Sequence, residues 1–136
     1  MTEPSHSKRD PRYLRVMMDR ANELARAHGV TSVFVGIAGR EGDLLVPEFI
    51  EFVESALRIE DDVFRLVRER AVLLLADVER TRAESILARL RMDFVARFAP
   101  STEFDVSLGF WQIDPEAGTA TAKEILPELF SPLRPT

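Results

Sequence analysis

The chain has 136 residues, enough for one domain with a real core, and its 46% hydrophobic and 30% charged residues are a globular composition rather than a disordered one. A formal net charge of −5 argues against a nucleic-acid binder, and the absence of cysteine removes disulfide and thiolate chemistry. No apolar run approaches the roughly 20 residues of a membrane span, and "MTEPSHSKRDPRY" has no apolar stretch behind its charges, so a cytoplasmic protein without membrane insertion is expected.

Residues 1–10 read as a flexible N-terminus. Asp10 followed by Pro11 is a helix start: a side-chain cap, then proline where no amide hydrogen is needed. Leu14, Met17, Met18, Ala21, Leu24 and Ala25 recur at helical spacing until Gly29, with His28 in the last turn. "TSVFVGIAG" is rich in β-branched residues and apolar on both faces, the pattern of a central strand covered on both sides. After the break "GREGD", Pro47 is expected to open a second helix whose apolar stripe is Phe49, Ile50, Phe52, Val53, Ala56 and Leu57.

Val63, Phe64 and Leu66 then belong to one strand and Ala71 to Leu75 to another. The turn between them holds Val67, Arg68, Glu69 and Arg70, where a tight hairpin favours Gly, Asn or Asp. Thr81 with Glu84 reads as a capping box for a third helix with Ala83, Ile86, Leu87, Leu90 and Phe94 on its inner side. "FDVSLGFWQI", 104–113, is the fourth strand; its Phe110 and Trp111 must face opposite sides of the sheet, so one is expected in the core and the other nearer solvent. "DPEAG" turns the chain, and "TAKEILPELF" is a short last helix limited by Pro127.

The inner six elements run βαββαβ. That order predicts an α+β, ferredoxin-like palm: an antiparallel sheet with two helices on one face, here with additional N- and C-terminal helices. Neither repeat nor linker divides it, so residues 11–130 form a single domain, followed by a tail over 131–136. His6 and His28 make no metal site without further ligands. No Walker loop, nucleophile elbow or dinucleotide fingerprint occurs. Asp43 and Glu48 are acidic candidates for a cation near the shortened loop, though exposed loop acids are usually just solvated.

"LRIEDDVFRLVRERAVLLLADVERTRAESILARLR" followed by "FDVSLGFWQIDPEAG" resembles the GGDEF domain family of bacterial diguanylate cyclases, and the likeness extends over residues 11–126. Leu57-Arg58 and Asp61 fall on the family's helix end and following acid, Arg65-Leu66 on the Arg-Leu before the signature, and Val106-Ser107-Leu108-Gly109 on the later Val-Ser-Ile-Gly strand. The resemblance implies a nucleotide-cyclase-like palm. The signature itself is replaced: Val67, Arg68, Glu69 and Arg70 stand where the family has glycines that admit a nucleotide and acids that hold metal. Gly36 and Ala38 stand where the family's strand-end aspartate is expected. The segment before Arg58 is also about ten residues shorter than the family pattern. Two-metal phosphoryl transfer needs those carboxylates, so loss of cyclase activity is expected, with no catalytic residue, no metal site and no cofactor.

The resemblance also points to a second, inhibitory type of nucleotide site with the pattern Arg-x-x-Asp, matched by Arg58 and Asp61 at the family's offset from the hairpin. Arginine can fork onto a guanine edge or phosphate and aspartate can accept from guanine nitrogens, and Arg65 is a third candidate there. Arg58 at a helix end and Asp61 in a turn are equally ordinary structural residues. The expected function is therefore an inactive GGDEF-like regulatory module of bacterial signalling, with a protein partner or a second copy of itself and with the Val67–Arg70 turn as a contact surface. The alternative is a cyclic di-GMP receptor acting through Arg58, Asp61 and Arg65.

Overall fold

The computed structural model describes residues 10–98, 103–116, 118 and 120–131. Their elements follow as α1 (Pro11–His28), β1 (Ser32–Ala38), α2 (Leu45–Ser55), β2 (Asp62–Val67), β3 (Arg70–Ala76), α3 (Arg80–Phe98), β4 (Ser107–Ile113) and α4 (Ala122–Leu129). The sheet order is β2-β3-β1-β4 with every neighbouring pair antiparallel, the ferredoxin-like arrangement expected from the βαββαβ order. The expected flexible N-terminus and tail, apart from Asp10 and Ser131, lie outside the described residues.

β1 is buried at all seven positions because helices cover both faces of the sheet. Val33, Val35 and Ile37 point toward α2 and α3, where they meet Phe49, Ile50, Val53 and Leu87. Phe34 points the other way, into Leu14, Met17 and Met18 of α1 and Ile125 and Leu129 of α4. On the α2/α3 side, Phe49, Phe94 and Phe104 form a triangle of rings with centroids 5.3, 5.2 and 5.1 Å apart. Each such pair adds about 0.5–1.5 kcal/mol beyond its buried area. Two of these rings come from helices and one from the segment before β4, so the triangle fixes where that segment runs.

α1 begins and ends as its sequence dictates. Asp10 accepts from the Arg12 amide at 2.9 Å, and Gly29 closes the helix in the left-handed region at φ 66°. α1 is tied to the sheet by the Tyr13 hydroxyl, which donates to the Asp62 carboxylate. Burial first, then that hydrogen bond, pushes the Tyr13 phenol up from its ordinary range. Asn22 ties α1 to the segment before α4 by bonding both the Ala120 carbonyl (2.9 Å) and amide (3.0 Å).

Four local expectations are corrected. α2 starts two residues before Pro47, because the Asp43 carboxylate accepts from the amides of Leu45 and Val46 at 2.8 and 2.9 Å. α3 starts at Arg80, whose amide donates to Gln112 Oε1 at 2.6 Å; Glu84 pairs with Arg80 rather than closing a box with Thr81. β4 starts at Ser107, three residues later than expected. Pro127 does not end α4: Thr121 and Glu124 form the capping box there, and the helix continues to Leu129. Phe110 and Trp111 do face opposite sides, yet both are half-buried, since β4 is an end strand with cover from one neighbour only.

Gly36 and Gly109 lie opposite each other across β1 and β4, and α4 rests on them. A Cβ on Gly36 would fall 2.8 Å from Leu129 Cβ, and one on Gly109 would fall 2.0 Å from the Leu129 carbonyl oxygen. Only glycine lets the helix backbone come this close. Gly109→Ala should therefore lower stability by about 1–3 kcal/mol in urea denaturation, the usual cost of overpacking. Gly118→Ala, where nothing lies within 4 Å, should change it by less than about 0.5 kcal/mol.

Candidate functional site

Two loops carry the candidate residues: the β2–β3 hairpin and the α2–β2 connection. In the hairpin, Val67 pairs with Arg70, which leaves Arg68 and Glu69 as the turn. The pairing slips by one residue between Arg65 and Val67, so Leu66 sits at a bulge. Asp77 is the one non-glycine residue with positive φ among the described residues, so neither turn residue is left-handed. An ordinary right-handed turn normally splays a hairpin, but a bulge adds the missing twist. This is why the turn needs neither Gly nor Asn.

Arg68 and Val67 are exposed, whereas Glu69 is engaged. Its carbonyl accepts from the Gly39 amide at 2.9 Å, and its carboxylate accepts from the Gly42 amide at 3.0 Å. The hairpin is thereby stapled to the loop that follows β1. Arg70 turns to the other face, with its guanidinium 5.3 Å from the centre of the Phe130 ring just beyond α4. Ala38, paired with Arg70 and Ser107, ends β1 beneath this cover.

A magnesium pair of the diguanylate cyclase kind does not fit these residues. Magnesium takes oxygen ligands in near-ideal octahedral geometry. Here Glu69 is the one carboxylate of the turn, and it lies between two arginines and holds a backbone amide. Asp43 is spent on capping α2, and β1 offers Gly36, under Leu129, and Ala38, neither of which has a ligand group. Among the described residues no three His, Cys, Asp or Glu side chains gather as a metal site.

In the α2–β2 connection, Arg58 and Asp61 are brought together as a closed clasp. The Arg58 guanidinium donates twice to the Asp61 carboxylate, at 3.0 and 2.8 Å, and once to the Ala76 carbonyl at 2.5 Å. Asp61 also accepts from the amides of Arg58 (3.0 Å) and Ala76 (3.1 Å). The Asp61 side chain is only 4% exposed, and that of Arg58 is 44% exposed. Its hydrogen bond to Asp61, outweighing partial burial, holds Arg58 above the usual arginine range. Glu60 stands 3.3 Å from the same guanidinium, and Ile59 projects fully into solvent.

Arg65 lies on β2, where its guanidinium meets Glu54 of α2 at 2.6 Å and is mostly covered. The structure thus joins Arg58 with Asp61 and holds Arg65 with a different acid. An open cleft of about 430 Å³ separates Pro47 and Glu51 from Leu66, Val67 and Arg68, and Arg65 lines it. Sequence reasoning missed the roles of Glu54, Gly42 and the Ala76 backbone. Glu54 sits on the polar side of an amphipathic helix, and nothing local marks which strand residue it meets.

No family model matches the chain, and no curated protein gives a significant match in sequence. Solved structures do match. The chain is similar to the GGDEF domain of FimX from Pseudomonas aeruginosa, at 18% identity and TM-score 0.69, over 93% of this chain and 91% of that one. It is similar to the GGDEF domain of DgcB from Caulobacter crescentus, solved in complex with c-di-GMP, at 14% identity and TM-score 0.64 (87% and 84% covered). It is also similar to the diguanylate cyclase SiaD from Pseudomonas aeruginosa, solved with its activator SiaC, at 22% identity and TM-score 0.66, over 92% of this chain and 56% of that one. The α+β fold is therefore that of GGDEF domains.

The clasp yields a stability prediction. Asp61→Ala strips the buried Ala76 amide of its acceptor and should cost about 1–3 kcal/mol, read from the thermal midpoint and unfolding enthalpy. Glu60→Ala, which removes only a half-exposed ion pair, should cost less than about 1 kcal/mol.

Proposed function

We propose that this GGDEF-fold chain is a non-catalytic module of bacterial signalling that works by contact with another protein chain. The observation that carries this reading is the use made of Glu69. The one carboxylate of the hairpin turn binds the amide of Gly42, with arginine on both sides, and Gly36 of β1 lies beneath Leu129 of α4. Phosphoryl transfer depends on ions that neutralise developing charge and fix the in-line geometry, so a site without their ligands lacks its main catalytic contribution. The similarity to SiaD, solved with an activator protein, is in keeping with a protein partner for this fold. Incubation with GTP and magnesium or manganese should give no cyclic dinucleotide and no pyrophosphate. Product above the enzyme-free blank overturns the reading.

A second reading is cyclic di-GMP binding through Arg58, Asp61 and Arg65. It draws on the half-exposed Arg58 guanidinium held beside Asp61, and on the similarity to DgcB, solved with that ligand. A ligand would have to compete with the clasp, giving up charge-assisted bonds worth about 1.5–3 kcal/mol each. If the clasp is structural, calorimetry on the wild type shows no heat beyond dilution. Saturable heat that Arg58→Ala abolishes would favour the receptor reading instead.

A further inference from the structure

The two outer strands of the sheet are built differently. β2 carries Asp62 and Arg65 and a bulge beside Leu66, all devices that discourage pairing with another strand. β4, "SLGFWQI", has no charge and no proline, and its register with β1 is unbroken from Ser107 to Ile113. Among the described residues, no backbone group outside β1 bonds to it. A flat, uncharged, unbulged edge is a template for another strand.

Beside this edge runs an apolar groove of about 730 Å³ between β4 and α3. Ala88, Met92 and Val95 line it from the helix, and Leu108 and Phe110 from the strand. Met92 is 72% exposed, so a large apolar side chain is left in water directly next to unpaired backbone. The helix wall of the groove carries one charge of each sign, Glu84 and Arg91, seven residues or about two turns apart with Ala88 between them. α3 runs antiparallel to β4: the Arg80 amide meets Gln112 near the strand's end, and Arg91 donates to the Phe104 carbonyl ahead of its start.

We infer that the β4 edge and the α3 groove form a docking surface for a second copy of this chain. The pairing is antiparallel, about a two-fold axis near Gly109 and Ala88. Such an axis exchanges positions about equally far on either side of Ala88, so Glu84 of each copy meets Arg91 of the other, while small Ala88 lets the two α3 helices approach. Glu84 already accepts from Arg80 at 3.0 Å, and a carboxylate has room for a second donor. The two sheets join into one of eight strands, and Met92, Leu108 and Phe110 leave water. An unrelated partner strand would have no reason to match this charge order; a second copy matches it by symmetry.

The inference rests on reading the chain as a contact module and names its surface. Sedimentation velocity on the wild type at about 100 µM, well above the micromolar range of weak specific contacts, should show a dimer. Glu84→Arg makes both charged positions positive, and Arg91→Glu makes both negative; each alone should weaken dimerisation at least about tenfold. Mixing the two variants should restore the dimer, because opposite charges then meet at both symmetry-related contacts. Met92→Lys should also yield monomer, with circular dichroism unchanged. A monomeric wild type, single variants that dimerise undiminished, or a mixture that stays monomeric overturns the interface. Sedimentation reads association and the GTP assay reads turnover: a monomer that gives no product overturns this interface alone, and a dimer through this surface that gives product overturns the non-catalytic reading alone.

Discussion

The contact on which the rest of the structure depends is the seating of Leu129 on Gly36 and Gly109. The two glycines face each other in adjacent strands, and the missing side chains leave a hollow that the last turn of α4 fills. Without that approach the sheet would lack half of its second cover, and Phe34, Val72 and Leu74 would lose their contact with Ile125 and Leu129. The helix resting on these strands also carries Phe130 onto Arg70 beside the hairpin.

A second theme is how the loops satisfy their backbone. Four acidic or amide side chains act as internal acceptors and donors: Asp43 at the start of α2, Asp61 at the end of β3, Glu69 across to Gly42, and Asn22 to Ala120. Each replaces a backbone ladder where the chain is irregular, which buried or half-buried backbone requires. Among the described residues, Ser32 Oγ is the one buried side-chain polar atom without a partner. Several groups that look like ligand donors in the sequence are in this way committed to the fold.

Much of the fold was legible from the residues. Helical spacing in α1, two-faced apolar strands and the βαββαβ order led to the sheet topology, because those patterns report burial directly. The boundaries that went astray share a cause. Pro47 and the Thr81–Glu84 pair are local signals, and in each case a different bond won: Asp43 to α2, and Gln112 of a distant strand to α3. Local propensity is a weak prior when tertiary partners are available.

By itself the sequence determined which residues are apolar and at what period, and therefore how many elements form and which faces they bury. It also determined what the hairpin lacks, since no arrangement of Val67, Arg68, Glu69 and Arg70 supplies two glycines and two acids. Only the tertiary structure decided what those residues do instead. Asp61 is three residues from Arg58, but the Ala76 carbonyl and amide that complete the clasp, and the Gly42 amide that Glu69 meets, lie far from them in the chain. Their approach is set by the packing of helices on the sheet, a property of three-dimensional distance that no spacing along the chain encodes.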